Sequence, residues 1–176
     1  MSARVALRLA TRADAALLRR WDREPDVAAS SGDDDSQDWE AELPRAVPWR
    51  EFLIAEADGR PVGVLQIIDP AEEESHYWGA GVAPDLRAID IWIGDAADRG
   101  RGLGTQIMHA ALARCFADAR VPAVLIDPLE SNTRARRFYE RLGFRAVGPR
   151  RFGNDDCIVY RLTRDEWREA RASPPM

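Results

Sequence analysis

The sequence predicts an α/β (α+β) domain, with one mixed central sheet and helices on both of its faces. Three stretches predict it. Residues 88–105 run from an apolar strand, Ala88 to Ile93, through a glycine-rich turn into a helical pattern. Residues 123–126, AVLI, form a second short buried strand that also leads into a capped helix. The apolar stretches 52–57 and 62–68 flank Asp58-Gly59, a tight hairpin signal. Strand–helix–strand units give parallel neighbours and cover the sheet with helices, whereas a hairpin gives antiparallel ones. A chain holding both builds a mixed sheet.

The elements follow in order. Val5 to Leu9 alternates apolar and polar residues, as a short strand does. Thr11 and Asp14 have capping-box spacing and open a helix through about Asp22, with Ala15, Leu18 and Trp21 on one stripe. Pro25, Pro44, Pro48 and the run Ser-Ser-Gly-Asp-Asp-Asp-Ser at 30–36 predict a loop over 25–48 with one helix from about 36 to 46. The hairpin 52–68 comes next, then an acidic, aromatic loop over 69–85, then the central strand 86–93. The helix from Leu103 to about Asp118 places Leu103, Ile107, Ala111 and Cys115 on one face. After the 123–126 strand, Ser131 or Asn132 caps a helix with Ala135, Phe138, Tyr139 and Leu142 inward, closed by Gly143. Residues 144–147 and 157–162 read as a final antiparallel pair joined by a loop over 148–156. Residues 1–168 form a single domain and 169–176 a frayed tail.

Composition narrows the function classes. With 176 residues, 45% hydrophobic and 31% charged, the chain suits one soluble domain with a real core. Two cysteines, Cys115 and Cys157, have neither metal-ligand spacing nor a disulfide framework. The only histidines are His76 and His109, so no metal site is expected. No apolar run approaches the ~20 residues of a membrane span, and the N-terminal stretch is broken by Arg and Asp, unlike a secretory signal. A cytoplasmic protein without a membrane partner follows. A net charge of −5 argues against nucleic acid. The charge is also unevenly spread: residues 22–42 hold nine acids and one base, whereas residues 99–151 hold eleven arginines and four acids. Such a split suits one anionic and one cationic ligand; solvated faces would show it as well.

The glycine turn Arg99-Gly100-Arg101-Gly102-Leu103-Gly104-Thr105 carries the chemistry. First-turn N–H groups lack helical partners, and the helix dipole favours an anion there. Glycines let a phosphate approach the backbone, and arginines suit its oxygens. Thr105 stands where a P-loop needs Lys, and the G-x-G-x-G spacing is not the dinucleotide fingerprint. Arg99-x-x-Gly102-x-Gly104 instead resembles the pyrophosphate loop of the GNAT superfamily of N-acetyltransferases. One strand later, Asn132-x-x-Ala135-x-x-x-Tyr139-x-x-x-Gly143-Phe144 resembles that family's second motif. A capped helix would explain the second motif alone but not its pairing with the loop. Residues 88–90, 102–105 and 127–140 look most like the aminoglycoside 6′-N-acetyltransferases.

The resemblance implies a GNAT fold, with a splayed parallel strand pair holding acetyl-CoA as co-substrate between strands 88–93 and 123–127. It implies cofactor contacts at Ile91, Trp92, Ile93, Arg99, Arg101, Gly102, Leu103, Gly104, Thr105, Asn132 and Arg137. Asp90 lies between Ile89 and Ile91. A carboxylate in an apolar strand is costly without a role, and partial burial would raise its pKa toward that of a working base, although alternation equally lets it face solvent. It matches the subgroup's aspartate and is the expected base, with His76 or Glu72–Glu74 as alternatives. Tyr139, which could equally be a buried helix aromatic, is the expected general acid. Asp127, Asp90, Tyr77 and Trp78 are the expected acceptor contacts, although Asp127-Pro128 also makes an ordinary turn. The expected acceptor is a cationic small-molecule amine: an aminoglycoside, with a polyamine or a hydroxylamine siderophore precursor as the alternative. A non-catalytic acyl-CoA-binding module is the competing class. A monomer or weak homodimer is expected.

Overall fold

A computed structural model describes residues 3–31 and 37–172. One seven-stranded sheet has the order β1-β2-β3-β4-β5-β7-β6. Its strands are β1 (Val5–Leu9), β2 (Arg50–Ala57), β3 (Arg60–Ile68), β4 (Arg87–Ile93), β5 (Ala123–Ile126), β6 (Arg145–Phe152) and β7 (Asp155–Thr163). The helices are α1 (Ala15–Asp22), α2 (Pro25–Ser30), α3 (Trp39–Glu42), α4 (Leu103–Ala117), α5 (Thr133–Arg141) and α6 (Arg164–Ala172). Every neighbouring pair is antiparallel except β4–β5. That parallel pair holds only through Arg87 opposite Val124 and Ala88 opposite Leu125, after which the strands separate.

Alternation along the strands sorts the core into layers. Ile89 packs with Ile107, Met108, Ala111 and Tyr139 under α4 and α5, and Ile91, Ile93 and Trp167 of α6 border that cluster. On the opposite face, Leu18, Trp21 and Trp39 of α1 and α3 cover Phe52, Ile54 and Val64, with Trp92 alongside. The other half of that face is covered by the 69–86 loop, whose Trp78 packs with Ala88, Leu125, Phe152 and Cys157.

Most expected elements stand where the pattern put them, with three corrections. The 25–48 segment holds α2, started by Pro25 at its first turn, and α3 spans only 39–42, shorter than the expected 36–46 helix. Its acidic run at 33–35 lies outside the described residues. The expected 148–156 loop is strand: β6 and β7 continue to Phe152 opposite Asp155. Pro149 is tolerated because β6 is the sheet edge, and a register shift between Ala146 and Gly148 absorbs the irregularity. The helix after β7 runs to Ala172 rather than fraying after 168, held by a cap in which Thr163 N and Oγ1 both donate to Glu166 (2.9 Å each). Residues 173–176 lie outside the described residues.

Two devices fix the end of β4, where the glycine turn begins. Gly94 lies against the Trp21 indole so closely that a Cβ would sit 2.0 Å from the ring. Asp98, buried in the following 3-10 turn (Ala96–Asp98), takes a two-pronged contact from Arg60 (2.7 and 2.8 Å) and a longer one from Arg101 (3.4 Å). These hydrogen bonds to Arg60 hold the Asp98 carboxyl below its usual pKa of 3.8, against the opposing effect of burial. A depressed folded-state pKa stabilises the fold above the unfolded value, and that stability is lost as pH falls through the folded one. Asp98→Asn should therefore destabilise the protein at neutral pH by about 1.5–3 kcal/mol, the range for hydrogen bonds to a charged group. In urea melts at decreasing pH, the gap to wild type should narrow below the ordinary aspartate range; a gap that stays constant would show that ionisation of Asp98 contributes nothing.

Candidate active site

The separation of β4 from β5 opens the sheet between its two faces. A cleft of about 670 Å³ runs along the β4 edge from the glycine turn to α5, and a smaller cavity of about 130 Å³ continues it toward β5 and β7. Ser30, Ile91, Trp92, Asn132, Ala135 and Tyr139 line both. The split therefore brings Tyr139, from the α4–α5 face, and Asp90, from the opposite face, onto one cavity wall.

The larger cleft has the features of an anion site. Gly102 caps α4 at φ +77° and Gly100 has φ +70°, left-handed values that favour glycine, and nothing lies within 4 Å of the place a Cβ would occupy on either. The N–H groups of Leu103, Gly104 and Thr105 thus begin the helix beside open space. Gly104 also lets Phe138 approach: a Cβ there would lie 3.4 Å from its ring. Pyrophosphate fits this cradle through backbone N–H groups.

The arginines act differently from expectation. Arg99 lines the cleft, but its guanidinium donates to Gly94 O (2.9 Å) and Ile93 O (3.4 Å) and pairs with Asp26 of α2. It ties the strand end to α2 rather than standing open to a phosphate. Arg101 reaches Asp98 and is outside the cleft lining. Leu103 is buried in the core, so its contribution to the site is its backbone. Arg137 is exposed and outside the cleft lining; Arg134, Phe138 and Arg141 line it instead. Around α5, Arg134, Phe138 and Arg141 lie within about 60° of one another, and Arg137 falls about 100° from Phe138. Asn132 accepts from Ala135 N (3.1 Å) as the cap of α5 while lining both cavities. Ile91, Trp92 and Ile93 line the cleft, on a β4 edge that β5 has left unpaired.

The smaller cavity is acidic. Asp90, Asp127 and Asp155 line it, with Tyr77, Tyr139 and Cys157, and its lining includes no arginine or histidine. Burial raises the Asp90 pKa above its usual value, opposed by a hydrogen bond from Gln66 Nε2 to Oδ2 (2.6 Å). Burial also raises the Tyr139 hydroxyl, with smaller contributions from the Asp90 and Asp127 charges, and it pushes the Cys157 thiol up to about 12. Tyr77 donates to Asp127 Oδ2 (2.7 Å) while its ring stacks on Phe152, with centroids 4.4 Å apart.

Trp78 is not at the cavity wall. It is 4% exposed and packs edge-on against Phe152 and Tyr77, supporting them from behind. His76, on the exposed loop, and His109, on the outer face of α4, line neither cavity, and neither do Glu72–Glu74. The acids of 22–42 and 69–85 are largely engaged elsewhere: Asp26 with Arg99, Glu40 with Arg19, Glu42 with Arg50, Glu74 with Arg45 and Asp69 with Arg87. Cavity residues that the sequence reading missed are Arg134, Arg141, Asp155, Cys157 and, on α2, Val27, Ser30 and Ser31. Gln66, paired with Asp90, was missed as well, although a polar residue inside the apolar 62–68 strand was a visible anomaly.

Known proteins agree with this architecture. Residues 10–152 match the family described as acetyltransferase (GNAT) domain. An aminoglycoside N(6′)-acetyltransferase type 1 from Klebsiella pneumoniae is 28% identical over 175 residues, 96% of this chain and 87% of that protein. The lysine N-acyltransferase MbtK of Mycolicibacterium paratuberculosis is 30% identical over 170 residues, 89% of this chain and 72% of that protein. A solved aminoglycoside acetyltransferase in complex with coenzyme A and kanamycin has a TM-score of 0.87 and 28% identity, over 96% of this chain and 100% of that chain. With its split β4–β5 pair, its glycine-capped α4 and a match over most of its length, this chain belongs to the GNAT family of acetyltransferases.

Proposed function

We propose that the chain transfers the acetyl group of acetyl-CoA to the 6′-amine of an aminoglycoside, a reaction that would confer antibiotic resistance in the cytoplasm. One observation carries this reading: a phosphate-suited cleft and a carboxylate-lined cavity meet at Tyr139 and the free edge of β4. The similarity to aminoglycoside acetyltransferases along nearly the whole chain supports it. A second reading, transfer to a lysine-type amine, is favoured by the 30% identity to a lysine N-acyltransferase.

Acetyl-CoA supplies an activated thioester carbonyl. The N–H groups of residues 101–105 would hold its pyrophosphate, with Arg134 and Arg141 along the same cleft. Backbone N–H groups on the unpaired β4 edge are suited to the charge that develops on the carbonyl oxygen. Asp127 and Asp155 would hold the cationic acceptor beside Asp90. Asp90 then accepts a proton from the ammonium, freeing the lone pair that forms the new N–C bond. The raised pKa of Asp90 makes it a better base near neutrality, and that of Tyr139 keeps its hydroxyl protonated. As the C–S bond breaks, Tyr139 donates its proton to the departing sulfur, and the second proton that the acylated nitrogen sheds passes to solvent, from which Tyr139 is reprotonated.

Three outcomes test this. Release of free thiol from acetyl-CoA should be fastest with kanamycin-type acceptors, ahead of spermidine, lysine, N-hydroxylysine and an acidic peptide. Their kcat/KM should fall steeply with salt, as the Debye length shrinks from ~8 Å at 0.15 M to ~3 Å at 1 M. Preference for lysine or N-hydroxylysine would favour the second reading, and no turnover with any amine would leave only an acyl-CoA-binding module.

Gly102→Asp places a strained residue and a negative charge at the α4 cap, so calorimetry should show CoA affinity reduced more than about tenfold in a folded variant. Unchanged affinity would remove the glycine turn from the site.

Tyr139→Phe should lower kcat more than it changes the KM for acetyl-CoA. Because Asp90 works ionised and its pKa is raised, activity should fall as pH drops through a value above the ordinary 3.8. Asp90→Asn should lower kcat and abolish that acidic limb; wild-type turnover in this variant would exclude Asp90 as base.

A further inference from the structure

We propose that Gln66 is a positioning residue for acetyl transfer: its side-chain amide, facing Asp90 across the β3–β4 pair, orients the Asp90 carboxylate and stabilises it as an anion. The inference rests on the reading of Asp90 as the base. Gln66 and Asp90 are register partners in the antiparallel ladder, so the backbone itself places them opposite each other. The Nε2–Oδ2 distance is 2.6 Å, and Gln66 is buried, with the apolar Leu65 and Ile67 on either side. An amide in that strand would be expensive to bury without a partner, and Asp90 is the partner.

The surroundings make this single donor decisive. The titratable groups that line the cavity with Asp90 are Asp127 after β5, Asp155 and Cys157 on β7, Tyr77 on the 69–86 loop and Tyr139 on α5. None of them brings a positive charge, and α2 contributes only serines. Burial therefore favours the protonated form of Asp90, and the Gln66 amide opposes it. Because the amide binds Oδ2, it also fixes the carboxylate plane and leaves Oδ1 to receive the ammonium proton. Gln66 touches Asp90 rather than the reacting atoms, so it should act on the pH profile and leave cofactor binding alone.

The test is the pH dependence of kcat from about pH 5 to about pH 9, with kanamycin and acetyl-CoA, for wild type, Gln66→Leu, Gln66→Asn and Asp90→Asn. Loss of the donor in Gln66→Leu should move the acidic limb upward by about one pH unit, equivalent to about tenfold lower kcat on the limb. The KM for acetyl-CoA should stay within about threefold of wild type, whereas plateau kcat should fall as the Asp90 carboxylate loses its fixed plane. Gln66→Asn keeps an amide in a smaller volume and cannot overfill the core, so it secures the measurement if Gln66→Leu fails to fold. Its shorter reach should shift the limb in the same direction. An unmoved limb in the folded variants, with the limb lost in Asp90→Asn, would reduce Gln66 to a packing residue and overturn the proposal. An Asp90→Asn variant that keeps both limb and turnover would instead overturn the reading of Asp90 itself.

Discussion

The parting of β4 and β5 after two residue pairs is the constraint on which the site depends. A continuous sheet would bury its backbone groups in ladder hydrogen bonds and separate its two faces. Here the partners of the two strands pull them apart. β4 stays with β3 along six register pairs, from Ala88 to Ile93. β5 has only four residues and follows β7, and beyond Asp127-Pro128 the chain still bridges to it at Leu129–Cys157. The end of β4 is pinned independently, by the Trp21 indole against Gly94 and by Arg99 on the carbonyls of Ile93 and Gly94. The gap is thus built in by neighbours on both sides, and its lining is polar where a core would be apolar.

Charge is organised around that gap rather than along the sequence. The acidic first half and basic second half suggested two ligand surfaces, yet many of those side chains neutralise one another across the fold, as Asp26 does with Arg99 and Glu51 with Arg114. Exposed pairs of this kind contribute little to stability. What remains at the cavity is local: three carboxylates on one side, and backbone N–H groups with Arg134 and Arg141 on the other. The β4 edge separates the two charges, an arrangement that suits the anionic and cationic reactants of the proposed reaction.

This explains which features could be read in advance. Periodicity located the strands and the long helices because burial dictates it. The left-handed glycines and the Asn132 cap were legible because the backbone demands those residue types. Asp90 stood out as a charge in an apolar strand. The positions that failed depend on rotation or pairing that one-dimensional spacing does not carry. Arg137 and Arg134 are both arginines on one helix, and the packing of α5 through Tyr139, Ala135, Phe138 and Leu142 accompanies a cleft lining that includes Arg134 and not Arg137. Asp155 was hidden because Pro149 and the glycines around it read as a loop, whereas an edge strand accommodates them. Trp78 and Tyr77 are adjacent, and alternation sends one into the core and the other to the rim.

In the proposed reaction Asp90 as base and Tyr139 as acid would need opposite protonation states, and one environment would supply both. Burial raises the pKa of Asp90 and Tyr139 alike. For Tyr139 this is purely favourable, because an acid that must keep its proton gains from every increment. For Asp90 the same burial is useful only within limits, because a base that holds its proton too tightly cannot take another. A hydrogen bond to the anionic form is the means of limiting that shift without adding a positive charge that would repel a cationic acceptor. An arginine or lysine opposite Asp90 would lower its pKa further but oppose the acceptor's charge. A neutral amide in register on the adjacent strand satisfies both demands, which gives a physical reason for the one polar side chain in an otherwise apolar stretch of β3, from Val62 to Ile68.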